Sequence, residues 1–584
     1  MPRFTECWRC GKTPAIIDCR SCNVAKYCSK KCKEDDIARH NDAECRPVSI
    51  LKTCSSCGKS GSSLQTCTGC YRAFYCDVKC QRNHRKKHKI ECERIINKIE
   101  LLAGMLQVRS RLGRTCIHYY WGNAPAYDYL NLLENEGVEY DSDMNVLVLG
   151  VGDLRNIVLT CASLPKSFTN KVMFVLNDVD RYVLARLVLL LYMMIKCDKS
   201  VSKIVTEIWY SLSLSEKSYN YLSTSLKGLL DFKSAKYFMN STDGIVNLNE
   251  SCFKEFQEVW RRWLDLRVEG ASTIRKQREA TMNADFSSNE GKRNYYESIP
   301  KEHVPSAMKY MEDGVFQGTS NDCYYAENPT LTGPPVYFKD SPYVYCCPTS
   351  VIPFVGWDYL DVKKLIHTNS LVTMFGNYIE SKLKSFMEKL ASKQVNFEII
   401  CCNCMDIEEV LDKERKYDRI LTSNLMDYIF LPELLRVFSG WLNRKNPYAT
   451  LITESQNWQI FCPAADVDSA LISQQRAALS RIALQDTKDP KFAEDVQTNF
   501  REYLDNSQEM QDFLRALFYA YRKRRIEKSK PKLPKFKELG NEFQLRLRDG
   551  FRNENRIVFF KPAVNRRRVT MITGLERYME WVCI

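Results

Sequence analysis

Cysteines and histidines near the start of the chain recur in a fixed order that could bind metal ions. Two cysteines separated by two residues supply two thiolates from one tight turn, which fills half of a tetrahedral zinc site. Two cysteines separated by three residues place both sulfurs on one face of a helix. The first set of eight is Cys7, Cys10, Cys19, Cys22, Cys28, Cys32, His40 and Cys45. The second set, 47 or 48 positions later, is Cys54, Cys57, Cys67, Cys70, Cys76, Cys80, His88 and Cys92.

This repeat predicts two zinc fingers with two Zn²⁺ ions each, hence four ions in the chain. Fourteen of the 26 cysteines lie in it, and the same order of ligand residues occurs twice. Each site would have four protein ligands and therefore no open position for a substrate or an activated water, unlike a catalytic zinc site. The predicted ions stabilise the fold and perform no catalysis.

The ligand order, with Tyr27 and Tyr75 directly before the fifth ligand of each set, resembles the MYND finger family. Members of that family pair their ligands crosswise. The resemblance implies, for the first finger, one ion on Cys7, Cys10, Cys28 and Cys32 and another on Cys19, Cys22, His40 and Cys45. It implies, for the second finger, one ion on Cys54, Cys57, Cys76 and Cys80 and another on Cys67, Cys70, His88 and Cys92. His84 is then a surplus histidine.

The same resemblance implies protein partners, including proline-containing segments. The peptide groove of the family uses a Gln after the sixth ligand and a Trp three residues before the His. Finger one has Lys33 and Ile37 at these two positions, while finger two has Gln81 and Arg85. The prediction is therefore a protein partner, bound by a surface that the groove motif does not identify.

The charge of the finger region does not favour nucleic acid as the partner. Residues 1–93 contain 19 Lys or Arg and 10 Asp or Glu, a formal charge of +9. Fourteen thiolates and four Zn²⁺ ions together contribute −6, which leaves about +3. No aromatic platform or base-reading helix motif accompanies this charge.

The rest of the chain alternates apolar runs of strand length with helical segments. The strand candidates are 145–149, 171–176, 396–402, 419–422 and 449–453, and two further candidates, 543–548 and 556–560, would form an antiparallel pair. Alternation of this kind indicates a parallel α/β sheet. About 220 residues between the second and third candidates predict a large insertion, mostly helical, at about 200–370.

A glycine turn follows the first of these strands, as in nucleotide-binding α/β domains. Leu149-Gly150-Val151-Gly152-Asp153 ends that strand, and the next strand ends in Asn177-Asp178. Gly150 and Gly152 could approach a nucleotide closely, or could simply form a turn that needs positive φ. Asp178 could reach a ribose hydroxyl, or could, with Asp180, cap the helix that begins near Arg181.

This arrangement resembles the Rossmann-like domain of S-adenosylmethionine-dependent methyltransferases, which would make Gly150, Gly152 and Asp178 cofactor contacts. Leu149 and its neighbours lack the acid that opens the methyltransferase glycine motif, and Leu154-Arg155 replace its last glycine. We therefore predict a domain without catalysis, with an active methyltransferase as the alternative. No nucleophile or catalytic residue is identified.

A further resemblance is to a domain of unknown function that occurs in MYND-bearing proteins and in axonemal dynein preassembly factors. The motifs that carry it are 121–126 (WGNAPA), 149–156 (LGVGDLRN), 176–178 (LND) and 417–428 (YDRILTSNLMDY). This resemblance makes a dynein assembly factor the second alternative for the function of the chain.

The predicted organisation is small α+β fingers at 1–46 and 50–93, a helical linker at 94–112, and a Rossmann-like α/β domain at 113–584. The apolar run 187–195 is about half the ~20 residues that a membrane-spanning helix needs, so no membrane segment is expected. The cysteine-rich start of the chain lacks the apolar core of a signal peptide. Reduced, metal-binding cysteines predict the cytoplasm or the nucleus.

Overall fold

The computed structural model describes most of the chain, with gaps. The described residues are 7, 9–10, 12, 15–19, 26–39, 52–61, 64–107, 118–122, 124–196, 198–269, 275–276, 302–316, 325–334, 344–345, 353–462, 507–525, 531–548, 555–558 and 576–584. Of the predicted ligands, Cys22, His40 and Cys45 lie outside this part of the chain. None of the helices described is both long and apolar enough to span a membrane.

Each finger consists of short hairpin strands followed by a helix. Finger one contains β1 (Ile17–Asp18), β2 (Lys26–Tyr27) and α1 (Lys30–Arg39). Finger two contains β3 (Lys52–Thr53), β4 (Ser60–Gly61), β5 (Gln65–Thr66), β6 (Phe74–Tyr75) and α2 (Val78–Gln107). Helix α2 continues without a break through the predicted linker, so the helical part of 94–112 belongs to the finger itself.

The body is an α/β region built on an eight-stranded mixed sheet. Its first elements are β7 (Met144–Leu149), α3 (Arg155–Ser163), β8 (Val172–Asp178) and α4 (Arg181–Ile195). Its later elements are β14 (Val395–Cys401), β15 (Arg419–Leu421), α12 (Leu431–Phe438), β16 (Thr450–Ser455), α13 (Ser507–Arg525), β17 (Leu545–Leu547) and β18 (Arg577–Cys583).

In the segment between β8 and β14, the described residues are mainly helical. Its helices are α5 (Ser202–Tyr210), α6 (Glu216–Leu230), α7 (Ala235–Ser241), α8 (Glu250–Glu269), α9 (Val304–Asp313), α10 (Tyr359–Leu365) and α11 (Leu371–Ala391). Its strands are β9 (Ser213–Leu214), β10 (Val246–Leu248), β11 (Ala326–Glu327), β12 (Thr332–Gly333) and β13 (Val344–Tyr345). Strand β10 pairs in parallel with β14, so the insertion also forms one edge of the main sheet.

The strand order of the main sheet is β10-β14-β8-β7-β15-β16-β18-β17. The first six strands pair in parallel, and β18 and β17 add an antiparallel edge. The antiparallel pair exists, but its predicted partner was wrong: Leu545–Leu547 pairs with Arg577–Cys583, whereas the described residues 555–558 form no strand. The run Arg577–Cys583 is mostly buried and also pairs with β16, which places it between β16 and β17.

Side chains of β7 alternate between two hydrophobic cores, one on each face of the sheet. Val146 and Val148 face a core formed with α3, α4, α5, α8 and α11. Leu147 and Leu149 face a core formed with α12 and α13. Helix layers on both faces explain why the central strands are apolar along their whole length.

Finger two packs into the second of these cores and is not a separate module. Its buried Tyr75 and the α2 residue Ile99 belong to the same continuous cluster as Phe513 of α13 and Trp458. Polar contacts join the two parts as well: Arg72 forms a 2.7 Å ion pair with Asp512. The fold thus differs from the prediction of fingers attached to the body by a linker helix.

Candidate metal centres and the glycine turn

Finger two brings its eight predicted ligands into two groups of four. Cys54 and Cys57 lie on the turn between β3 and β4, where Gly58 has φ +73, and they face Cys76 and Cys80 at the start of α2. The sulfurs of Cys57 and Cys76 are 3.6 Å apart.

The second group combines one loop with the middle of α2. It consists of Cys67, Cys70, His88 and Cys92. The Cys67 and Cys92 sulfurs are 3.8 Å apart, and Cys70 Sγ lies 3.6 Å from His88 Nε2. Gly69 lies close to these ligands: a Cβ at this position would be only 3.0 Å from Cys92 Sγ. A side chain at this position would press on the metal ligands.

Finger one provides a third group, Cys7, Cys10, Cys28 and Cys32. Its Cys10–Cys28, Cys28–Cys32 and Cys10–Cys32 sulfur distances are 3.5, 3.7 and 3.8 Å. Of the other predicted ligands in this finger, Cys19 is buried, and Cys22, His40 and Cys45 lie outside the described residues.

These distances match the edges of a zinc coordination tetrahedron. With Zn–S bonds of about 2.3 Å and Zn–N bonds of about 2.0–2.1 Å, the S···S edge is about 3.8 Å and the S···N edge about 3.6 Å. Within each of the three groups, the four ligand atoms lie within 4.8 Å of one another. Each group can therefore hold one zinc ion with protein ligands alone.

A buried tyrosine hydroxyl braces the helix of each finger, a feature that the ligand pattern did not predict. Tyr27 donates to Asp36 at 3.0 Å, and the Tyr75 hydroxyl lies 3.2 Å from His84 Nδ1. In both fingers the partner lies nine positions after the tyrosine. The surplus histidine is thus the counterpart of Asp36, and the equal spacing in the two repeats was the available signal.

The positions of the MYND peptide groove are accessible in the structure. Ile37 of finger one is exposed, and so are Gln81 and Arg85 on α2 of finger two. Arg85 has a charged group where the family motif has an indole ring. The geometry therefore does not by itself identify a proline-binding groove.

A further cluster of metal-binding side chain types lies in the insertion. Glu302, His303 and His367 have ligand atoms within 4.8 Å of one another. Both ring nitrogens of the buried His303 already have partners, the Asn369 carbonyl at 3.1 Å and the Tyr359 hydroxyl at 3.0 Å. The hydrogen bonds of His303 are those of a structural residue.

The glycine turn after β7 has the backbone that the sequence suggested. Gly150 and Gly152 have φ values of +66 and +61, a region that L-residues rarely adopt. The Gly152 amide donates to Asp178 at 3.2 Å, and Asp180 accepts from the Tyr182 amide as the N-cap of α4. The capping interpretation of Asp180 is therefore confirmed, and Asp178 binds backbone amides of its own chain.

Arg155 fills the space beside this turn. Its guanidinium is buried, forms a 2.6 Å ion pair with Asp153 and donates to the Ala124 carbonyl at 3.0 Å. Asp153 also accepts from the Gly122 amide at 2.9 Å, so the 118–126 segment is held across the start of α3. A Cβ on Gly122 would overlap Arg155. Arg155 thus has a structural role at the start of α3.

Asp418 lies at the opposite edge of the sheet from the glycine turn. It precedes β15 and accepts from the Asn145 amide at 2.9 Å and from Asn443 and Asn446. Asp418 and Asn145 both lie at the amino ends of parallel strands, β15 and β7. Ligands of such sheets bind at the carboxyl ends, so Asp418 has a structural role.

Two acids, the half-buried Asp178 and the buried Glu454, hold their protons more strongly than free carboxyl groups. Burial and the neighbouring Asp180 raise the pKa of Asp178 to about 6. Burial raises the pKa of Glu454, on β16, to about 7, although a 2.8 Å hydrogen bond from Gln456 opposes the shift.

This shift predicts a pH effect on the variant Glu454→Gln. The unfolded carboxyl ionises near pH 4.5 and the folded one near 7, so the protein loses stability as pH rises between these values. Glutamine mimics the neutral acid. The free energy of unfolding of Glu454→Gln should therefore equal that of the wild type near pH 4.5 and be about 2–3 kcal/mol higher at pH 8. Urea unfolding at both values measures this, with exposed Glu414→Gln as the control. An equal gain at both pH values would contradict the prediction.

Comparison with known proteins finds matches in both the finger region and the body. The MYND finger family model matches residues 7–45 and 54–92, and the model of the domain of unknown function DUF4470 matches residues 120–214. Dynein axonemal assembly factor 3 of Danio rerio is 31% identical over 144 residues, covering 20% of this chain and 30% of that protein. The chain thus spans less than a third of that relative. No solved structure matches the chain.

The family matches coincide with the metal centres and with the glycine turn. The two MYND matches begin and end at predicted ligands, and the DUF4470 match contains β7, β8 and the turn with Gly150 and Gly152. The chain therefore contains two MYND fingers in tandem, followed by a DUF4470 domain.

Proposed function

We propose that this protein is a zinc-binding scaffold that holds other proteins together through its tandem MYND fingers. The observation that carries the proposal is the closed geometry of the cysteine and histidine groups. Each described group supplies four ligands at tetrahedral spacing, which suits a structural ion. Such an ion stabilises a surface for binding and leaves no coordination position for catalysis.

The proposal assigns two ions to each finger, four in all. Three sites are the groups with Cys7, Cys54 and Cys67 as first ligands, and the fourth is Cys19, Cys22, His40 and Cys45. Zinc content of the purified full chain should then be about four ions per molecule. Cys10→Ser should lower it by one or two ions, whereas Cys583→Ser, outside the fingers, should leave it unchanged. An equal zinc content of both variants would overturn the ligand assignment.

The binding role has its own test. Proteins captured by the full chain should be lost in Cys10→Ser or after removal of zinc by a chelator, and should be retained by Cys583→Ser. Capture that is independent of zinc would overturn the proposed role of the fingers.

For the body we propose a Rossmann-like architecture at 113–584 with the insertion at about 200–370. The order β14-β8-β7-β15-β16 supports it, because the doubly wound order 3-2-1-4-5 also places the first strand centrally. The glycine turn follows the central strand, next to the point where the order reverses. We propose that the domain does not catalyse. Arg155 fills the space beside the glycine turn, and the Asp178 carboxylate already accepts from the Gly152 amide, so a cofactor would have to displace these contacts.

The alternative is an S-adenosylmethionine-dependent methyltransferase, which would also fit the strand order and the turn Gly150-Val151-Gly152. A ligand that binds only the folded state raises its melting temperature by mass action. Millimolar S-adenosylmethionine should leave the melting temperature of the full chain unchanged. A rise that disappears in Gly152→Leu would overturn the non-catalytic proposal.

The match to a dynein axonemal assembly factor supports a second proposal, that the scaffold works in the cytoplasm during assembly of axonemal dyneins. The match covers a minor part of both chains, so this role of the whole protein goes beyond the matched residues. Expression should follow motile cilia across cell types. Abundant protein in cells without motile cilia would count against this role.

A further inference from the structure

Helix α2 of finger two has one face against the body and one face open to solvent. Its inner face carries the zinc ligands and the buried residues Ile95, Ile99, Leu102 and Leu106. At about 100° per residue, Ile90, Leu101 and Met105 fall within about 60° of one another on the opposite side. Their side chains are 74%, 69% and 51% exposed. Three large apolar side chains on one open face require an explanation.

The same face is basic. Lys79, Lys86, Lys87 and Arg94 lie within about 60° of Ile90 around the helix axis, and Glu93 is the one acidic residue of α2 in the same sector. From Val78 to Ile90 the helix contains six Lys or Arg and no Asp or Glu. Two zinc centres with seven thiolates would contribute about −3, so an excess of positive charge remains on this half of α2. An acidic partner would complement it.

Gly104 adds a feature of shape. It lies inside α2, where glycine lowers helix stability relative to alanine. A Cβ at Gly104 would meet nothing within 4 Å, so packing within the chain does not require glycine there. Absence of a side chain at this position, one turn after Leu101, leaves a shallow depression on this face. Another backbone could approach α2 closely at this point.

We infer that this outer face of α2, formed by Lys79, Lys86, Lys87, Ile90, Arg94, Leu101, Gly104 and Met105, binds an acidic amphipathic helix of a partner protein. The inference rests on the proposed scaffold function and names the surface that performs it. The apolar side chains receive the apolar stripe of the partner, and the basic ones face its carboxylates. From Ile90 to Met105 the face is about 22 Å long, which matches about four turns of a partner helix.

Two other surfaces are distinct from this one. Gln81 and Arg85, at the groove positions of the MYND family, lie on a different side of α2. A nucleic acid would also complement the basic residues, but its phosphates offer no apolar partner for Ile90, Leu101 and Met105. No aromatic side chain lies on this face to stack with bases.

The test uses the zinc-loaded full chain and a fluorescent 20-residue peptide of leucine and glutamate with leucines at helical spacing. A scrambled peptide and a 20-nucleotide RNA are the other probes. Anisotropy should show at least tenfold tighter binding of the helical peptide than of the scrambled one. Leu101→Glu with Met105→Glu should weaken it at least tenfold, and the matched control Leu133→Glu with Val138→Glu, also exposed apolar sites, less than twofold.

Gly104 provides a second comparison that separates binding from folding. Gly104→Ala and Gly104→Gln both raise helix propensity. Only the larger glutamine fills the depression, so it should weaken peptide binding while alanine does not. Equal peptide affinities of the two variants would show that Gly104 is not part of the binding surface. Equal affinities of the helical and scrambled peptides would overturn the inference.

Failure of this surface is distinguishable from failure of the scaffold. Zinc-dependent protein capture that persists in Leu101→Glu with Met105→Glu would retain the scaffold and overturn the surface. RNA that binds more tightly than the helical peptide, unaffected by these two substitutions, would identify the basic half of α2 as a nucleic-acid site instead.

Discussion

Cys67→Ser should destabilise the body of the protein together with finger two. Cys67 and Cys70 are buried in the same hydrophobic cluster as Trp458 and α13, so loss of the metal centre removes part of the body's core. We expect the free energy of unfolding to fall by about 4 kcal/mol or more, the range reached when a structural metal or a core group is lost. Because folded domains have about 5–15 kcal/mol of stability, the body should approach its unfolding threshold.

The fluorescence of buried tryptophans reports this change during urea unfolding. Trp458 and Trp581 are fully buried in the body and respond when its second core opens. The matched control is Cys10→Ser in finger one, whose cysteine group does not belong to that core. It should change the body's unfolding midpoint little. Equal midpoints for Cys67→Ser and the wild type would show that finger two is an independent module after all.

Local patterns predicted much of this molecule because each has a local cause. Cysteine spacing predicted the paired ligands, since two thiolates on one turn can reach one ion whatever the rest of the chain does. The groups of four were implied by the resemblance to the MYND family. Apolar runs bounded by glycine or acidic residues predicted β7, β8, β14, β15 and β16 to within two residues at each end. The turn at Gly150 and Gly152 also followed from residue type, because few other residues adopt its φ values.

Contacts between distant segments were not predictable in the same way. The chain gives no local sign that Arg577–Cys583, and not 556–560, pairs with β17, because pairing depends on which run the sheet edge can bury. Likewise, β10 is three residues long within a helical region, too short for a pattern, and its place is set by β14. The union of finger two with α13 joins residues more than 400 positions apart.

Arg155 shows how one substitution pattern acquires meaning from the fold. In the sequence it was a bulky residue in place of a glycine. In the structure its guanidinium links Asp153 to the Ala124 carbonyl, so it holds the segment before β7 against the start of α3. Arg155 therefore makes a structural contact within the chain.

Arg515→Met should weaken the attachment of α13 to finger two. Arg515 is buried, and it donates to the Gly69 carbonyl at 2.7 Å and to the Pro534 carbonyl at 2.9 Å while its guanidinium lies 4.9 Å from the Tyr71 ring centre. Methionine retains most of the volume but leaves both carbonyls without these donors. A loss of about 2–3 kcal/mol in the free energy of unfolding is expected, since hydrogen bonds to charged groups contribute about 1.5–3 kcal/mol each and desolvation opposes them.

The metal centre should control how much Arg515 contributes to the free energy of unfolding, because Gly69, whose carbonyl it binds, lies between the ligands Cys67 and Cys70. If zinc holds this loop in position, Arg515→Met should cost less than about 1 kcal/mol in the Cys67→Ser background, where the loop is released. Arg522→Met, on the same helix but in a more exposed pair with Glu542, should have a small effect in both backgrounds. Additive losses for Arg515→Met and Cys67→Ser would show that the metal centre and α13 are energetically separate. A large coupling would instead mean that part of the stability that zinc in finger two gives the body passes through this guanidinium.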